Sequence, residues 1–246
     1  MTATLRPYWQ RMIVPGLFTI VSLAILISLG VWQLQRKAWK EGLIATLDAQ
    51  MKAAPAPLPP PSQWPTLTQE NSEFRRVSAR VSFVPHAPPV YIYTGASALR
   101  ADVKQPGYFV FAPAKLPDGQ TIAINRGYVG MDRKYQPPPA EPAEIVGYIR
   151  WPEKEGLFAP AAGADDIRFV RDPAAIAKTS GWGPVAPFSI DQQAPLPASG
   201  LPRPGSLSVK LRNDHLGYAL TWFGLAAALV GVFVIWAAKE RYPKTT

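Results

Sequence analysis

Residues 13–34 read IVPGLFTIVSLAILISLGVWQL, a run of 22 residues without a charged side chain. A helix rises about 1.5 Å per residue, so roughly 20 residues cross the hydrocarbon core of a bilayer. Arg6 and Arg11 precede the run, as they would in a signal peptide. The run is too long for one, however, and the bulky, basic WQLQRKAWK follows in place of a small-residue cleavage site. The sequence therefore predicts an uncleaved membrane anchor.

A second uncharged run, LGYALTWFGLAAALVGVFVIWAA, fills residues 216–238 and is followed by the basic KERYPK. We place the second span at 214–238. Two spans put residues 1–12 and 239–246 on one side of the membrane and residues 35–213 on the other. Five basic residues flank the spans on each side, so charge does not fix the orientation. The net charge of +9 fits membrane flanking better than nucleic-acid binding, because no long Lys/Arg cluster carries interleaved aromatic residues.

The segment after the first span keeps a helical spacing, which predicts a helical extension over residues 35–53. PAPLPPPSQWP then ends the helix, because proline lacks the amide donor and clashes with the preceding turn. We expect residues 55–65 to form a stiff, extended linker.

The centre of the chain alternates short apolar stretches with turn residues, and LPDG between two of them indicates a hairpin. This pattern predicts a membrane α+β fold, in which two transmembrane helices flank an antiparallel β-rich barrel or sandwich. Residues 158–205 are rich in Pro and Gly, with one short helix expected at DPAAIAK. The predicted strands are Phe74–Phe83, Val90–Gly95, Gly107–Pro113, Gln120–Gly130, Glu144–Arg150 and Ser206–Arg212.

The chemistry available to the chain is limited. It has no cysteine and only two histidines, which excludes thiolate chemistry, a His-based catalytic triad and a three-His metal site within one chain. Nucleotide-binding and hydrolase motifs are also absent from the sequence. We therefore expect that the protein is not an enzyme and has no catalytic residues.

One of the two histidines stands where the second span begins, in NDHLGYALTW. Asn213 is a good residue to cap the helix that follows. His215, Tyr218 and Trp222 are spaced i, i+3, i+7 and share a face of that helix. Imidazole is a common protein ligand of haem iron, and flat rings beside it would wall a macrocycle.

The end of the first span offers a counterpart. Trp32, Arg36 and Trp39 share a helix face, and a guanidinium pairs well with a carboxylate such as a haem propionate. Tyr, Trp and His are also common at membrane interfaces, where an amphipathic ring fits, so residue spacing leaves both interpretations open.

Four segments together resemble the surfeit locus protein 1 family of cytochrome c oxidase assembly factors. They are SLGVWQLQRKAWKEGLI, PGYFVFAP, DGQTIAINRGYVG and NDHLGYALTWFGLA. Their order, their spacing and the two spans match the family along nearly the whole chain, and least so between Glu153 and Pro204.

The resemblance implies a multi-pass protein of the bacterial inner membrane, with both termini cytoplasmic and the β-rich domain periplasmic. It implies assistance to oxidase subunit I, transient binding of haem a as cargo, and haem a synthase as a further partner. By this resemblance, His215 corresponds to the family's histidine beside the second span. Tyr218 corresponds to its neighbouring tyrosine, and Trp222 to its aromatic residue further inside the span. The family's NRG strand falls on Asn125, Arg126 and Gly127, to which we assign no chemical role from the sequence. An accessory subunit that stays in the oxidase without binding haem is the alternative.

Overall fold

The computed structural model describes residues 8–97, 99–153, 167–208 and 213–241. The chain divides into two compact units. Residues 1–45 and 211–246 form a helical unit, and residues 46–210 form a β-rich unit.

Two long helices dominate the chain. Helix α1 is Tyr8–Lys52 and helix α4 is His215–Arg241. By length and composition both could cross a membrane, and their most apolar windows are 0% and 11% buried within the chain, unlike the core helix of a soluble protein. Helix α1 continues from the predicted span through the predicted extension without a break. It ends three residues before Pro55, which could not continue it.

Helices α1 and α4 run antiparallel in the helical unit. Arg11 Nη1 lies 3.9 Å from Glu240 Oε2 near one end of the pair. Near the other end, Gly30 of α1 packs so closely on Phe223 of α4 that an added Cβ would lie 2.5 Å from the ring. Ala219 and Ala226 are the buried residues of α4, so small side chains let the helices approach.

The described residues of the β-rich unit form eight strands, of which five close a barrel in the order β2–β6–β8–β5–β4. The ring closes where the end of β2 pairs with the end of β4, Phe83 opposite Ala114. Strands β1, β3 and β7 add to its margins. The strands are β1 (Ala56–Pro57), β2 (Arg76–Phe83), β3 (Val90–Thr94), β4 (Gly107–Lys115), β5 (Thr121–Gly130), β6 (Ala143–Arg150), β7 (Ile167–Arg168) and β8 (Ser189–Ala194).

The barrel is filled by the inward residues of its strands, because side chains alternate between the two faces of a strand. On β2, Val77 and Val81 are each 1% exposed, while Arg80 between them is exposed. The inner cluster includes Val77, Ala79, Val81, Phe83, Ile122, Ile124, Ile145, Ile149 and Ile190.

A second apolar layer covers the outer face of part of the barrel, which explains why β4 is buried on both faces. Its buried residues are Val90, Ile92, Val103, Phe109, Phe111, Ala123 and Ile176. Ile176 belongs to helix α3 (Pro173–Ser180), the short helix expected at DPAAIAK. Asp172 caps this helix by accepting from the amides of Ala174 and Ala175, and Gly181 ends it with a φ of 70°.

The structure corrects three expectations. The barrel is not wholly antiparallel, because β5 and β8 pair in parallel. Strand β8 itself was missed, since SIDQQA lacks the apolar alternation that marks a strand. The predicted last strand Ser206–Arg212 has no strand structure over residues 206–208, and residues 209–212 lie outside the described residues.

The proline-rich segment 55–65 also differs from an extended linker. It contains β1 and enters a 3-10 helix at Pro61–Thr66. The Trp64 indole N–H donates to the Pro59 carbonyl at 2.9 Å, and its ring meets Phe188 edge to face at 5.5 Å. The burial of one tryptophan therefore ties the segment to the barrel core. A four-residue helix, α2 (Gln69–Ser72), follows it.

Candidate functional site

The candidate site lies where α4 begins. His215 is the first residue of α4 and is partly buried. Its Nδ1 lies 2.7 Å from the side-chain oxygen of Gln33 on α1. This contact joins the two helices and sets the start of α4 level with the turn of α1 that carries the predicted Trp32 and Arg36.

The contact with Gln33 bears on the tautomer of His215, because the roles of the two ring nitrogens depend on which of them holds the proton. In the neutral tautomer that donates from Nδ1, the side-chain oxygen of Gln33 accepts the hydrogen bond. Nε2 of a neutral imidazole then keeps its lone pair. Histidines that bind metals are held in the same way, with one ring nitrogen donating to an oxygen and the other free to coordinate. The arrangement therefore suits His215 as an axial ligand.

The other two predicted residues of α4 differ in position. Each residue turns a helix by about 100°, so Trp222 lies within about 20° of His215 in projection and Tyr218 about 60° to one side. Trp222 is partly buried, whereas Tyr218 is 58% exposed. Trp222 thus lies nearly in line with His215 along α4, while Tyr218 lies to one side of that line and is more exposed.

The three predicted residues of α1 form a separate exposed group. Trp32 is 50% exposed and Trp39 57% exposed. The Arg36 guanidinium lies 4.5 Å from the centroid of the Trp39 ring, in cation–π geometry. Gln33 projects from a different side of α1, so the structure brings Arg36 to Trp39 and brings His215 to Gln33.

Two details at this end of α4 differ from expectation. The first helical hydrogen bond runs from the Tyr218 amide to the Asp214 carbonyl, so Asp214 holds the cap position that we assigned to Asn213. The side-chain oxygen of Asn213 is buried and accepts no hydrogen bond from the residues that the structure describes. Gln33 was also missed, although an amide at the end of an apolar run, three residues from a glycine, is a usable signal for a helix contact.

Asn125, the first of the NRG residues of β5, belongs to a buried polar network in the β-rich unit. Asp191 of β8 accepts from Asn125 at 2.8 Å, from Arg150 at 3.0 Å and from Arg171 at 2.8 Å. Burial alone would raise the pKa of Asp191, but the two guanidinium groups and Asn125 outweigh it and hold that pKa below its ordinary value. Arg150 also pairs with Glu73 at 2.8 Å.

This network explains Asn125 as a structural residue, because its amide joins β5 to β8 where the two strands pair in parallel. Gly127 is explained by backbone geometry. Its φ is 129°, and an added Cβ would collide with the backbone of Arg203. The amide of Tyr128 donates to the Arg203 carbonyl at 2.9 Å, so the glycine lets a second chain segment pair with β5.

Within the described ranges, no group of three or more His, Cys, Asp or Glu residues is placed to hold a metal ion. His86, the other histidine, is exposed in a turn with a φ of 56°. His215 is therefore the histidine whose surroundings suit coordination.

Comparison with known proteins identifies the relatives of the chain. Residues 20–227 match the model of the SURF1 family. Surfeit locus protein 1 of Mus musculus is 33% identical over 86% of this chain and 72% of its own length. The human protein of that name is 32% identical over 82% of this chain and 70% of its own length. The SURF1-like protein of Drosophila melanogaster is 32% identical over 87% of this chain and 74% of its own length.

Proposed function

The chain belongs to the SURF1 family, and we propose that it is an assembly factor for haem-copper cytochrome c oxidase that binds haem a and assists its insertion into subunit I. The matched residues extend from within the first apolar helix to within the second, so the family assignment covers both helices and the domain between them. The relatives at about one-third identity support the role in oxidase assembly. The haem-binding part of the proposal rests on His215.

The observation that carries the haem proposal is the 2.7 Å contact between His215 Nδ1 and Gln33 Oε1. In the tautomer that donates from Nδ1, Nε2 keeps a lone pair that can coordinate iron, at the end of two apolar helices. One imidazole fills one axial position of haem iron and leaves the other open or weakly held. Such a ligand set suits a carrier, which has to release its cargo.

The helix surfaces suit the rest of the cargo. Haem a carries a long isoprenoid tail, which needs an apolar surface, and two propionates, which need a polar rim. The outer faces of α1 and α4 expose large apolar side chains, among them Leu17, Phe18, Leu220 and Leu225. Arg36, held over Trp39, supplies a cation close to the level of His215. We assign the propionates to Arg36 and the tail to the apolar faces.

We further propose that α1 and α4 span the bacterial inner membrane, with both termini in the cytoplasm and the β-rich domain in the periplasm. The length and apolar composition of both helices support the spans. The orientation and the partners, oxidase subunit I and haem a synthase, follow from the family resemblance. Accessibility of single introduced cysteines to a membrane-impermeant thiol reagent tests the orientation cleanly, because the chain has none of its own.

The test is the optical spectrum of the protein purified from cells that make haem a. We expect a stoichiometric haem a band that His215→Ala abolishes and His86→Ala, the control at the other histidine, leaves intact. Gln33→Leu should weaken haem affinity by about 10- to 100-fold, because it removes the partner that orients the ligand. Equal haem a affinity in His215→Ala and the native protein would refute the assignment.

A second candidate function is an accessory subunit that stays in the oxidase without touching haem. The observation in its favour is a row of glycines on α4. Gly217, Gly224 and Gly231 recur every seven residues, and nothing lies within 4 Å of a Cβ added to any of them. Small residues let membrane helices pack closely. Co-purification in stoichiometric amount with active oxidase, without a haem band of its own, would favour this function.

A further inference from the structure

One end of the barrel interior is polar rather than apolar. Along β5, Arg126 follows Ile122 and Ile124 on the inward face, and along β8, Gln192 follows Ile190 in the same way. Arg126 is only 3% exposed and Gln192 only 6% exposed. A guanidinium and an amide therefore close the apolar core at this end.

Both side chains are left with unused hydrogen-bonding atoms. Arg126 Nη1 donates to the Gln136 carbonyl at 2.8 Å, and the guanidinium lies 5.5 Å from the Phe83 ring centroid, but Nε has no partner among the described residues. Gln192 Nε2 donates to the Pro195 carbonyl at 2.8 Å, while its Oε1 accepts nothing from the same part of the chain. Among the described residues, Arg126 forms no ion pair.

An unpaired buried cation is costly, because desolvation disfavours the charged form. Burial lowers the pKa of Arg126 to about 10, even though Tyr135 nearby acts in the opposite direction. The side chain therefore stays charged at neutral pH, without a counter-ion in the part of the chain that the structure describes. The other buried arginine of the core strands, Arg150, has two carboxylate partners, Glu73 and Asp191, within 3.0 Å.

A cavity of about 200 Å³ lies over these two side chains at the mouth of the barrel. Barrel mouths are frequent ligand sites, and sites for drug-sized molecules are usually about 300–1,000 Å³, so this one suits a smaller group. Phe83 and Ile145 line it from the core, and prolines and Leu196 line it from the surface. Leu196 is 62% exposed, which leaves an apolar lip open to solvent.

We propose that this cavity binds the free C-terminal residue of a partner polypeptide with an apolar last side chain. The carboxylate accepts hydrogen bonds from Arg126 and supplies the missing counter-charge. The apolar side chain rests against Phe83, Ile145 and the surrounding prolines.

Charge complementarity selects this ligand. A carboxylate in the cavity lies against the guanidinium of Arg126, which lacks a counter-ion among the described residues. A wholly apolar ligand would leave that buried charge uncompensated. Capture of C-terminal carboxylates by fixed donors is a recurring mode of peptide recognition.

The test uses the full chain in detergent and a fluorescein-labelled hexapeptide that ends in leucine, followed by fluorescence polarisation. We expect the free acid to bind and the C-terminal amide to bind at least about 30-fold more weakly, as when one partner of a buried charge pair is removed. N-acetyl-leucine as competitor separates recognition of a single residue from recognition of a longer chain.

Two variants locate the site. Arg126→Gln should lose the preference for the free acid, while Arg80→Gln, an exposed arginine of β2, should keep it. Ala198→Trp, at the exposed lip of the cavity, should block both peptides without disturbing the core. Haem binding at His215 should be unchanged in all three. Equal binding of acid and amide, or full binding in Ala198→Trp, would overturn the proposal.

Discussion

Removing one charge from the buried network of the barrel should destabilise the β-rich unit more than any exposed charge does. Asp191 is 6% exposed and accepts hydrogen bonds from Arg150, Arg171 and Asn125. Asp191→Asn keeps the shape of the side chain but leaves two buried guanidinium groups without their shared carboxylate. Breaking a buried ion pair in this way costs about 3–5 kcal/mol. Native domains are stable by only about 5–15 kcal/mol, so the loss is a large fraction of the total.

The measurement is urea unfolding of the full chain in detergent, followed by the fluorescence of Trp64 and Trp151, which both contact the barrel core. With a denaturant slope of about 2 kcal/mol per molar, the midpoint should fall by roughly 2 M, while the slope stays the same. The matched control is Asp48→Asn, which removes an exposed pair with Lys52 and should cost about 0–1 kcal/mol.

The stability difference between the native protein and Asp191→Asn should depend on pH. Because the pKa of Asp191 is lower in the folded protein than in the unfolded chain, its contribution is complete above the unfolded value near 4. It is lost as the pH falls from there through the folded value. The difference in stability between the native protein and Asp191→Asn should therefore be constant from pH 5 to 7 and shrink below about pH 4. A difference under about 1 kcal/mol at pH 7, or one that grows in acid, would refute the argument.

Two glycine substitutions test the close approaches in each unit. Gly127→Ala should destabilise the β-rich unit by more than about 2 kcal/mol in urea unfolding, because φ is 129° and the facing backbone leaves no room for a Cβ. The control Gly119→Ala, with a φ of 88° but open space, should cost less. Equal losses of stability in the two variants would contradict the steric part of this explanation. Gly30→Leu should push α1 away from Phe223 and lengthen the distance between spin labels on the two helices, measured by pulsed electron paramagnetic resonance. The control Gly224→Leu, in open space, should leave that distance unchanged. An unchanged distance in Gly30→Leu would mean that the helices do not pack through this glycine.

The apolar helices and most of the strands could be predicted because their signal is local. An uncharged run of about 20 residues and an alternation of period two are both set by which side chains meet water. Five strands predicted from alternation correspond to β2 to β6, and LPDG is the turn of the β4–β5 hairpin. The SURF1 family resemblance, which the comparisons confirm, rested on four such local segments.

Strand β8 could not be found in this way, because its sequence SIDQQA is polar although it lies within the barrel. Its first four residues, Ser189 to Gln192, are buried, and polar groups tolerate burial only when partners from distant parts of the chain satisfy them. Asp191 finds its partners on β5, on β6 and before α3. No local pattern encodes that meeting, so only the closed barrel makes β8 a strand.

The same distinction applies to the candidate site. The sequence by itself selected His215 as a rare imidazole at the start of an apolar helix, and it selected the NRG residues through family resemblance. Only the tertiary structure paired His215 with Gln33, which lies 182 positions away in the chain, and buried Arg126 with no counter-ion among the described residues. Residue type and periodicity determine which face of a helix or strand is apolar. In a helix that face is set by residues three to four positions apart, and in a strand by residues two positions apart. Which polar atoms gain a partner, and which remain free to bind a ligand, depends on contacts that form only when distant segments pack together.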